Sequence, residues 1–201
     1  MSAKAGRRPM LACKDDLRGS LAHAWFMLQE GVTDRRSPFH VCTLATVDAD
    51  GNPQARSVVL RECHAEERWI RFNTDMRTEK ARNIATNPVA SMLFYDAQEK
   101  VQLRLGVRLA LLPPEERARV WDQTPHYSRE CYQVTRSPGQ PIASPHDVVF
   151  DADITEEGEP HFAPVRAQID TIEWLYLAVR GHRRARFQFV GEEVTAQWLV
   201  P

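Results

Sequence analysis

No stretch of the 201-residue chain approaches the run of about 18 apolar residues that a membrane-spanning helix needs. The opening segment "MSAKAGRRPMLACKDD" is basic but lacks the apolar segment and small-residue cleavage site of a secretory signal. The four cysteines, Cys13, Cys42, Cys63 and Cys131, are scattered, and no two form a CxxC pair. They read as reduced thiols in a cytoplasmic protein, and neither membrane insertion nor export is expected. Charge of one sign is missing too: 26 Lys+Arg against 27 Asp+Glu leaves a formal net charge of -1, so nothing global favours a nucleic acid partner. Repeats and low-complexity tracts are absent. His126, His146 and His161 have no paired spacing, so no metal centre is expected.

What is present fits one large globular domain spanning 1–201, at 43% hydrophobic and 26% charged residues. "DDLRGSLAHAWFMLQEGV" spaces Leu17, Leu21, Trp25 and Leu28 as one helical face and predicts a helix over about 14–30. "FHVCTLATVDADGNPQARSVVLR" reads as a β-hairpin turning at Asp50-Gly51-Asn52-Pro53. "RWIRFNT" gives a third strand, and "TEKARNIATNP" a short helix with Thr78 as N-cap and Asn87-Pro88 as stop. Strands "VASMLFY" and "VQLRLGVRLALL" complete a core over about 39–112. A helical excursion follows over about 113–159. From Thr124 it is rich in Pro, Ser and Gly and is expected to pack on another surface. Three strands over about 161–201 close the chain. Hairpin-linked strands with few helices between them predict a mainly β protein, an antiparallel barrel of Greek-key type with flanking helices.

One strand raises a chemical question. In "ARSVVLR", Arg56 shares a face with Val58 and Leu60, while Ser57, Val59 and Arg61 point the other way. A strand this apolar rarely carries an arginine on each face. Lys80, Thr74 and Thr78 lie nearby in sequence, at the end of the next strand and the start of the following helix. A helix N-terminus with free N–H groups, a threonine hydroxyl, a lysine and an arginine would together seat a phosphate. The alternative is that Arg56 and Lys80 pair with Asp75 or Glu79 at the surface. The basic cluster from Arg180 to Arg186 reads as a solvated turn or a ligand rim.

The ordered motifs "LATVDADGNPQARSVVLR", "FNTDMRTEK", "NP" and "QLRLGV" resemble the pyridoxamine 5'-phosphate oxidase family, whose members hold FMN in a split barrel. The resemblance is strong from about Phe39 to Leu112 and weak toward both ends. It implies that Arg56, Ser57, Val58, Val59, Leu60 and Arg61 line FMN, with Arg56 near the phosphate and Arg61 near flavin and substrate. It implies further that Asn73 and Thr74 meet the flavin, Thr78 and Lys80 bind the phosphate, and Gln102 and Arg186 contact the ring system. Ser128 matches a substrate-binding serine. It also implies a homodimer with the flavin at the interface, in which Gln102 and Arg61 of one chain meet Arg186 or Ser128 of the other.

The departures narrow the expectation. Glu79 stands where many members have a second phosphate-binding arginine, and Val120 and Thr124 replace the tyrosine and arginine that read a substrate phosphate. Leu175 replaces a tryptophan, and the Arg-Leu-His motif is missing from "IEWLYLAVRGHRRARF". The expected protein is therefore an FMN-dependent oxidoreductase acting on a small molecule other than pyridoxine or pyridoxamine phosphate, with no catalytic base assigned. The alternatives are a flavin carrier or sensor without turnover, or a split-barrel protein holding a tetrapyrrole or deazaflavin.

Overall fold

In the computed structural model, which describes residues 13–148, 156–178 and 181–201, the alternating segment after Phe39 forms strand β1 (Val41–Val47). Cys42, Leu44 and Thr46 are buried, while Val41, Thr43 and Val47 are exposed, the period of two of a half-buried strand. The turn that follows is held by Asp48, whose carboxylate accepts from the backbone N–H groups of Asp50 and Asn52. Gly51 takes a φ of +87° there, a conformation that side chains resist. Strand β2 (Pro53–His64) returns along β1, and β3 (Trp69–Asp75) pairs with β2. Helix α2 (Glu79–Thr86) then carries the chain back so that β4 (Val89–Asp96) pairs with the far side of β1. Three hairpin-linked strands with a fourth returning beside the first make the expected Greek key.

Strand β5 (Val101–Leu111) pairs with β4, and the fifteen-residue β6 (Phe162–Tyr176) pairs with β5. The first half of β6 also pairs with β3, closing a six-stranded antiparallel barrel. Its second half pairs with β7 (Arg183–Val190), which pairs with β8 (Glu193–Leu199), so the last two strands extend the sheet beyond the barrel. Inside sit Leu44, Leu60, Phe72, Leu103, Trp174 and Phe187, with Phe39 and Phe94 stacked at 5.3 Å. Of the five tryptophans, Trp121 and Trp174 are buried, Trp25 and Trp69 half-buried, and Trp198 exposed on the outermost strand.

Helix α1 (Leu17–Thr33) covers the barrel with a different face from the one the spacing predicts. Its buried stripe is Ser20, His23, Ala24, Met27, Leu28 and Gly31, while Leu17, Leu21 and Trp25 flank it half-buried. The small residues explain the shift. Ser20, Ala24 and Gly31 let the helix axis come close, and a Cβ on Gly31 would lie 2.5 Å from the Phe39 carbonyl oxygen. Leucine spacing alone misjudges a helix that approaches through its smallest side chains.

The excursion after helix α3 (Pro114–Gln123) also departs from expectation. It continues through the four-residue helix α4 (His126–Arg129) into a turn where Tyr132 is buried against Trp121 and Phe162 as a second small core. Arg77 donates from Nη1 to the Val134 carbonyl at 2.7 Å. The first part of the excursion thus packs on its own chain, whereas residues 136–147 are mostly exposed, and 149–155 lie outside the described residues.

At Gly106 the β5–β6 register shifts, leaving Asp170 as the extra residue on β6. A Cβ on Gly106 would sit 2.5 Å from Thr171 Oγ1, so the glycine in "QLRLGV" is required by a bulge and its cross-strand neighbour. Gly106→Ala is expected to lower stability by about 1–3 kcal/mol in urea unfolding. Adding Thr171→Ala should recover part of that loss through a coupling of opposite sign; strictly additive losses would show that the clash is not the cause.

Candidate functional site

The side chains of Arg56, Thr74, Thr78 and Lys80 converge where β2 and β3 meet the start of α2. Arg56, half-buried on the core-facing side of β2, donates from Nη1 to Thr46 Oγ1 at 2.7 Å and to the Gln54 carbonyl at 3.1 Å. Lys80 Nζ donates to Thr74 Oγ1 at 2.8 Å, and Thr74 and Thr78 hydroxyls lie 3.4 Å apart. Thr78 caps α2 as the sequence predicts, accepting from the Ala81 N–H at 3.3 Å. Burial lowers the Lys80 pKa and the positive charge of Arg56 lowers it further, with Asp75 opposing. Burial lowers Arg56 too, against Glu79. Among the described residues neither cation is in a salt bridge, so the surface pairing with Asp75 or Glu79 is not what forms. Asp75 instead binds Arg77 at 2.7 Å. Two cations sharing a half-buried corner beside a helix N-terminus form a seat that an anion would relieve.

Arg61 lies on the opposite face. A bulge between Leu60 and Glu62 in the β2–β3 ladder places both Arg61 and Glu62 on the outer side, a change of alternation that the sequence does not reveal. Arg61 lines a cavity of about 110 Å³ with Arg71, Asn73, Val120, Thr124, Ser128 and Tyr132 among its neighbours. The structure therefore gathers the two residues assigned to substrate, Arg61 and Ser128, within one chain, together with the two replaced positions Val120 and Thr124. Asn73 lines the same cavity and accepts from Arg71 Nη1 at 2.5 Å. Arg71, buried and absent from the sequence-based set, also binds Glu62 at 2.6 Å. Its strand was legible, but its importance depends on the bulge that brings Glu62 opposite it.

The rest of β2 divides by alternation. Val58 and Leu60 have their side chains in the core, which leaves only their backbone for a ligand, while Ser57 is exposed and Val59 half-buried. Gln102, half-buried on β5, faces Tyr95 on one side and Leu175 on the other. Arg186 sits on β7 opposite Glu173 and binds its Oε1 through Nε at 2.9 Å and Nη2 at 2.6 Å. Arg104 and Arg184 each reach Glu173 Oε2 at 2.7 Å. One buried carboxylate thus fixes three arginines, a net positive cluster that sequence reasoning saw only as a basic run.

These two sets do not meet in one chain. Asn73 faces Pro164 on β6, whereas Arg186 faces Glu173, nine residues farther along. That is about 30 Å at the strand rise of 3.3 Å per residue. Between the sets, the outer faces of β1 and β4 expose Val41 (46%), Val89 (61%), Leu93 (38%) and Tyr95 (47%). No helix is long and apolar enough to cross a membrane, and the described residues hold no cluster of three or more metal-ligating side chains.

Comparison with known proteins gives a consistent picture. Residues 22–112 match the model of the pyridoxamine 5'-phosphate oxidase, FMN-binding domain. The chain is 34% identical over 112 residues to the pyridoxine/pyridoxamine 5'-phosphate oxidase of Pseudomonas fluorescens, covering 55% of this chain and 50% of that enzyme. It is 29% identical over 171 residues to the corresponding Cupriavidus necator enzyme, covering 82% and 79%. The match to the first of these relatives thus spans only half of its length. Among solved structures, a pyridoxamine 5'-phosphate oxidase-related, FMN-binding protein from Nostoc punctiforme superposes with a TM-score of 0.72 at 22% identity, covering 98% of this chain and all of that one. PhzG from Burkholderia lata, solved with tetrahydrophenazine-1-carboxylic acid, gives 0.74 at 19% over the full length of both. At these identities the two structures establish the split-barrel fold.

The arginine cluster has a measurable signature. Burial pushes the Glu173 carboxyl up, but hydrogen bonds from Arg184, Arg186 and Arg104 outweigh it and hold the pKa at about 2. A folded-state pKa below the unfolded value of about 4.3 means that the cluster stabilises fully above that pH and loses its contribution as the pH falls toward 2. The stability gap between wild type and Glu173→Gln, read from urea midpoints, should therefore be largest near neutrality and shrink across that window. A gap that stays constant from pH 5 to pH 2 would show that the arginines do not hold this carboxylate ionised.

Proposed function

We propose that this chain, whose residues 22–112 match the pyridoxamine 5'-phosphate oxidase FMN-binding domain and whose fold is the split barrel, is a member of that family and an FMN-dependent oxidoreductase for a small substrate. The observation that carries the cofactor assignment is the cradle of Arg56, Lys80, Thr74 and Thr78. Two cations whose pKa values burial depresses, and which among the described residues form no salt bridge, would be relieved by an anion, and the FMN phosphate is the anion the family supplies. Glu79 makes the seat less positive than a second arginine would, so Lys80 carries more of the binding.

When bound, FMN supplies hydride and electron transfer at its isoalloxazine ring. The chain's own residues position it. Ser57 and Val59 share with Arg61 the face of β2 opposite Arg56, Asn73 lines the Arg61 cavity, and Arg61 with Ser128 holds the substrate in that cavity. Val120 and Thr124 line that cavity without a charge, so oxidation of pyridoxine or pyridoxamine phosphate is not proposed. No side chain is placed as a general base; the protein acts by orientation and electrostatics.

The second half of each flavin site comes from a second copy of the chain. Gln102 and Arg186 lie too far along the sheet to join Arg61 and Ser128 of their own chain, and the exposed apolar face of β1 and β4 offers a surface that a two-fold partner covers with the same patch. In this arrangement Gln102 and Arg186 of one copy complete the site that Arg56, Arg61 and Ser128 begin in the other.

Purified protein should be yellow and release FMN on denaturation, and it should oxidise reduced nicotinamide in the steady state. A colourless or red protein would overturn the flavin assignment, and flavin without turnover would make it a carrier or sensor. Lys80→Ala removes one charge-assisted contact to a dianion and should weaken FMN by about 1.5–3 kcal/mol while leaving riboflavin, which lacks the phosphate, nearly unaffected. Equal weakening of both would remove Lys80 from the phosphate site. Light scattering of the loaded protein should give a mass near twice the 23.0 kDa of one chain, and a mass near one chain while flavin stays bound would end the shared site.

A further inference from the structure

A second cavity, of about 240 Å³, adjoins the Arg61–Ser128 cavity and shares Arg71, Val120 and Gln123 with it. A row of four charges from three strands and a helix lines it. Glu62 on β2 pairs with Arg71 on β3 at 2.6 Å, Arg71 faces Arg166 on β6 in direct register, and Arg166 pairs with Glu116 on α3 at 2.8 Å. Like charges directly opposite each other in antiparallel strands repel, so this placement needs a reason.

The guanidinium hydrogen bonds supply one. Arg71 uses both terminal nitrogens, on Asn73 and Glu62, and Arg166 uses Nη2 on Glu116. What each leaves is its Nε, and Arg166 leaves its Nη1 as well. Both Nε atoms are buried, and neither has an acceptor among the described residues. Buried donors without acceptors are rare because each forfeits its hydration, and two on neighbouring guanidinium groups lining one cavity form a matched pair.

We propose that this cavity binds the carboxylate of a small monoanion with a flat apolar body between the Arg71 and Arg166 guanidinium groups, which turn on binding so that the Nε–H of each meets one oxygen. Glu62 and Glu116 disfavour a dianion such as a phosphate ester, because with Arg119 the lining residues sum to a single net positive charge when His64 is neutral. Trp69, Leu112 and Val120 provide apolar wall. Trp69 is fixed there by stacking on His64 at 3.7 Å and by the Arg166 guanidinium 4.8 Å from its ring centre. Because the two cavities share Arg71, a carboxylate held here places the rest of the molecule toward Arg61 and Ser128. That last step, which makes the monocarboxylate the substrate class, rests on the function proposed above; the binding itself does not.

The probe is benzoate, added to ¹⁵N-labelled full-length protein at pH 7.5 and followed through the arginine Nε–H signals. Two of these signals should shift together and saturably. Arg166→Gln should weaken benzoate by about tenfold or more, through loss of one charge-assisted donor. Glu116→Gln should tighten it severalfold by removing the competing carboxylate, which gives a second variant with the opposite sign should the first fold poorly. Inorganic phosphate should bind less tightly than benzoate. The proposal is overturned if benzoate leaves both signals unmoved, if Arg166→Gln binds it as well as wild type, if Glu116→Gln binds it more weakly, or if phosphate is the better ligand. Because the readout needs no flavin, benzoate binding by a protein that carries none would overturn the FMN assignment and uphold this one.

Discussion

Strand β6 is fifteen residues long, about 50 Å at the ordinary rise, and its first and second halves have different neighbours. The first half is held between β3 and β5 and closes the barrel, so the core depends on it. The second half leaves the barrel, keeps β5 on one side and takes β7 on the other. The change of partner occurs near Asp170, where the bulge opposite Gly106 adds one residue to β6. Barrel closure, the separation of the two polar sets and the outward projection of β7 and β8 all follow from that one strand.

Charge is distributed with the same economy. On the outer face six arginines have carboxylates: Glu173 serves Arg104, Arg184 and Arg186, Glu62 serves Arg71, Glu116 serves Arg166, and Asp170 serves Arg108. At the core-facing corner, Arg56 and Lys80 donate, among the described residues, to hydroxyls and a backbone carbonyl. A chain with nearly equal numbers of cations and anions has carboxylates to spare, and Asp75 and Glu79 are close by. Asp75 is nonetheless committed to Arg77, which in turn holds the excursion through the Val134 carbonyl. Among the described residues Arg56 and Lys80 are thus left without a salt bridge while Asp75 is occupied elsewhere, an arrangement that costs stability.

The barrel was largely legible because its strands alternate cleanly and its turns carry strong local chemistry. Asp48, Gly51 and Thr78 each do locally what their residue types predict. Three features were not legible, and each depends on tertiary contact. The buried stripe of α1 is set by close approach through Ser20, Ala24 and Gly31, which leucine periodicity cannot signal. The bulge at Arg61 shifts alternation by one, so Glu62 and Arg71 become a pair that no spacing rule identifies. Tyr132 draws the start of a Pro- and Gly-rich segment onto Trp121 and Phe162, although composition alone gives that segment no surface of its own. At the candidate site the division is the same: Arg56, Thr74, Thr78 and Lys80 come together as local order implies, while the grouping of Arg61 with Ser128 depends on how the excursion folds back.

The separation along β6 also bears on why the family pattern survives here only in part. The residues proposed to meet the FMN phosphate lie on β2, β3 and the start of α2, where strand register and a helix cap fix them within one chain. Of the residues proposed to meet a substrate, Arg61 sits at the β2 bulge and Ser128 on the excursion, while Arg186 on β7, proposed to contact the flavin ring, needs a second copy to do so. Val120 and Thr124 take no part in the strand pairing that closes the barrel, although Val120 packs on the small core of Trp121, Tyr132 and Phe162. Lys80 instead bonds Thr74, whose hydroxyl lies beside that of the α2 cap Thr78. The proposed phosphate corner is therefore tied to strand register and a helix cap, whereas Ser128, Val120 and Thr124 lie on the excursion, where a side chain can change without altering the strand pairing of the barrel.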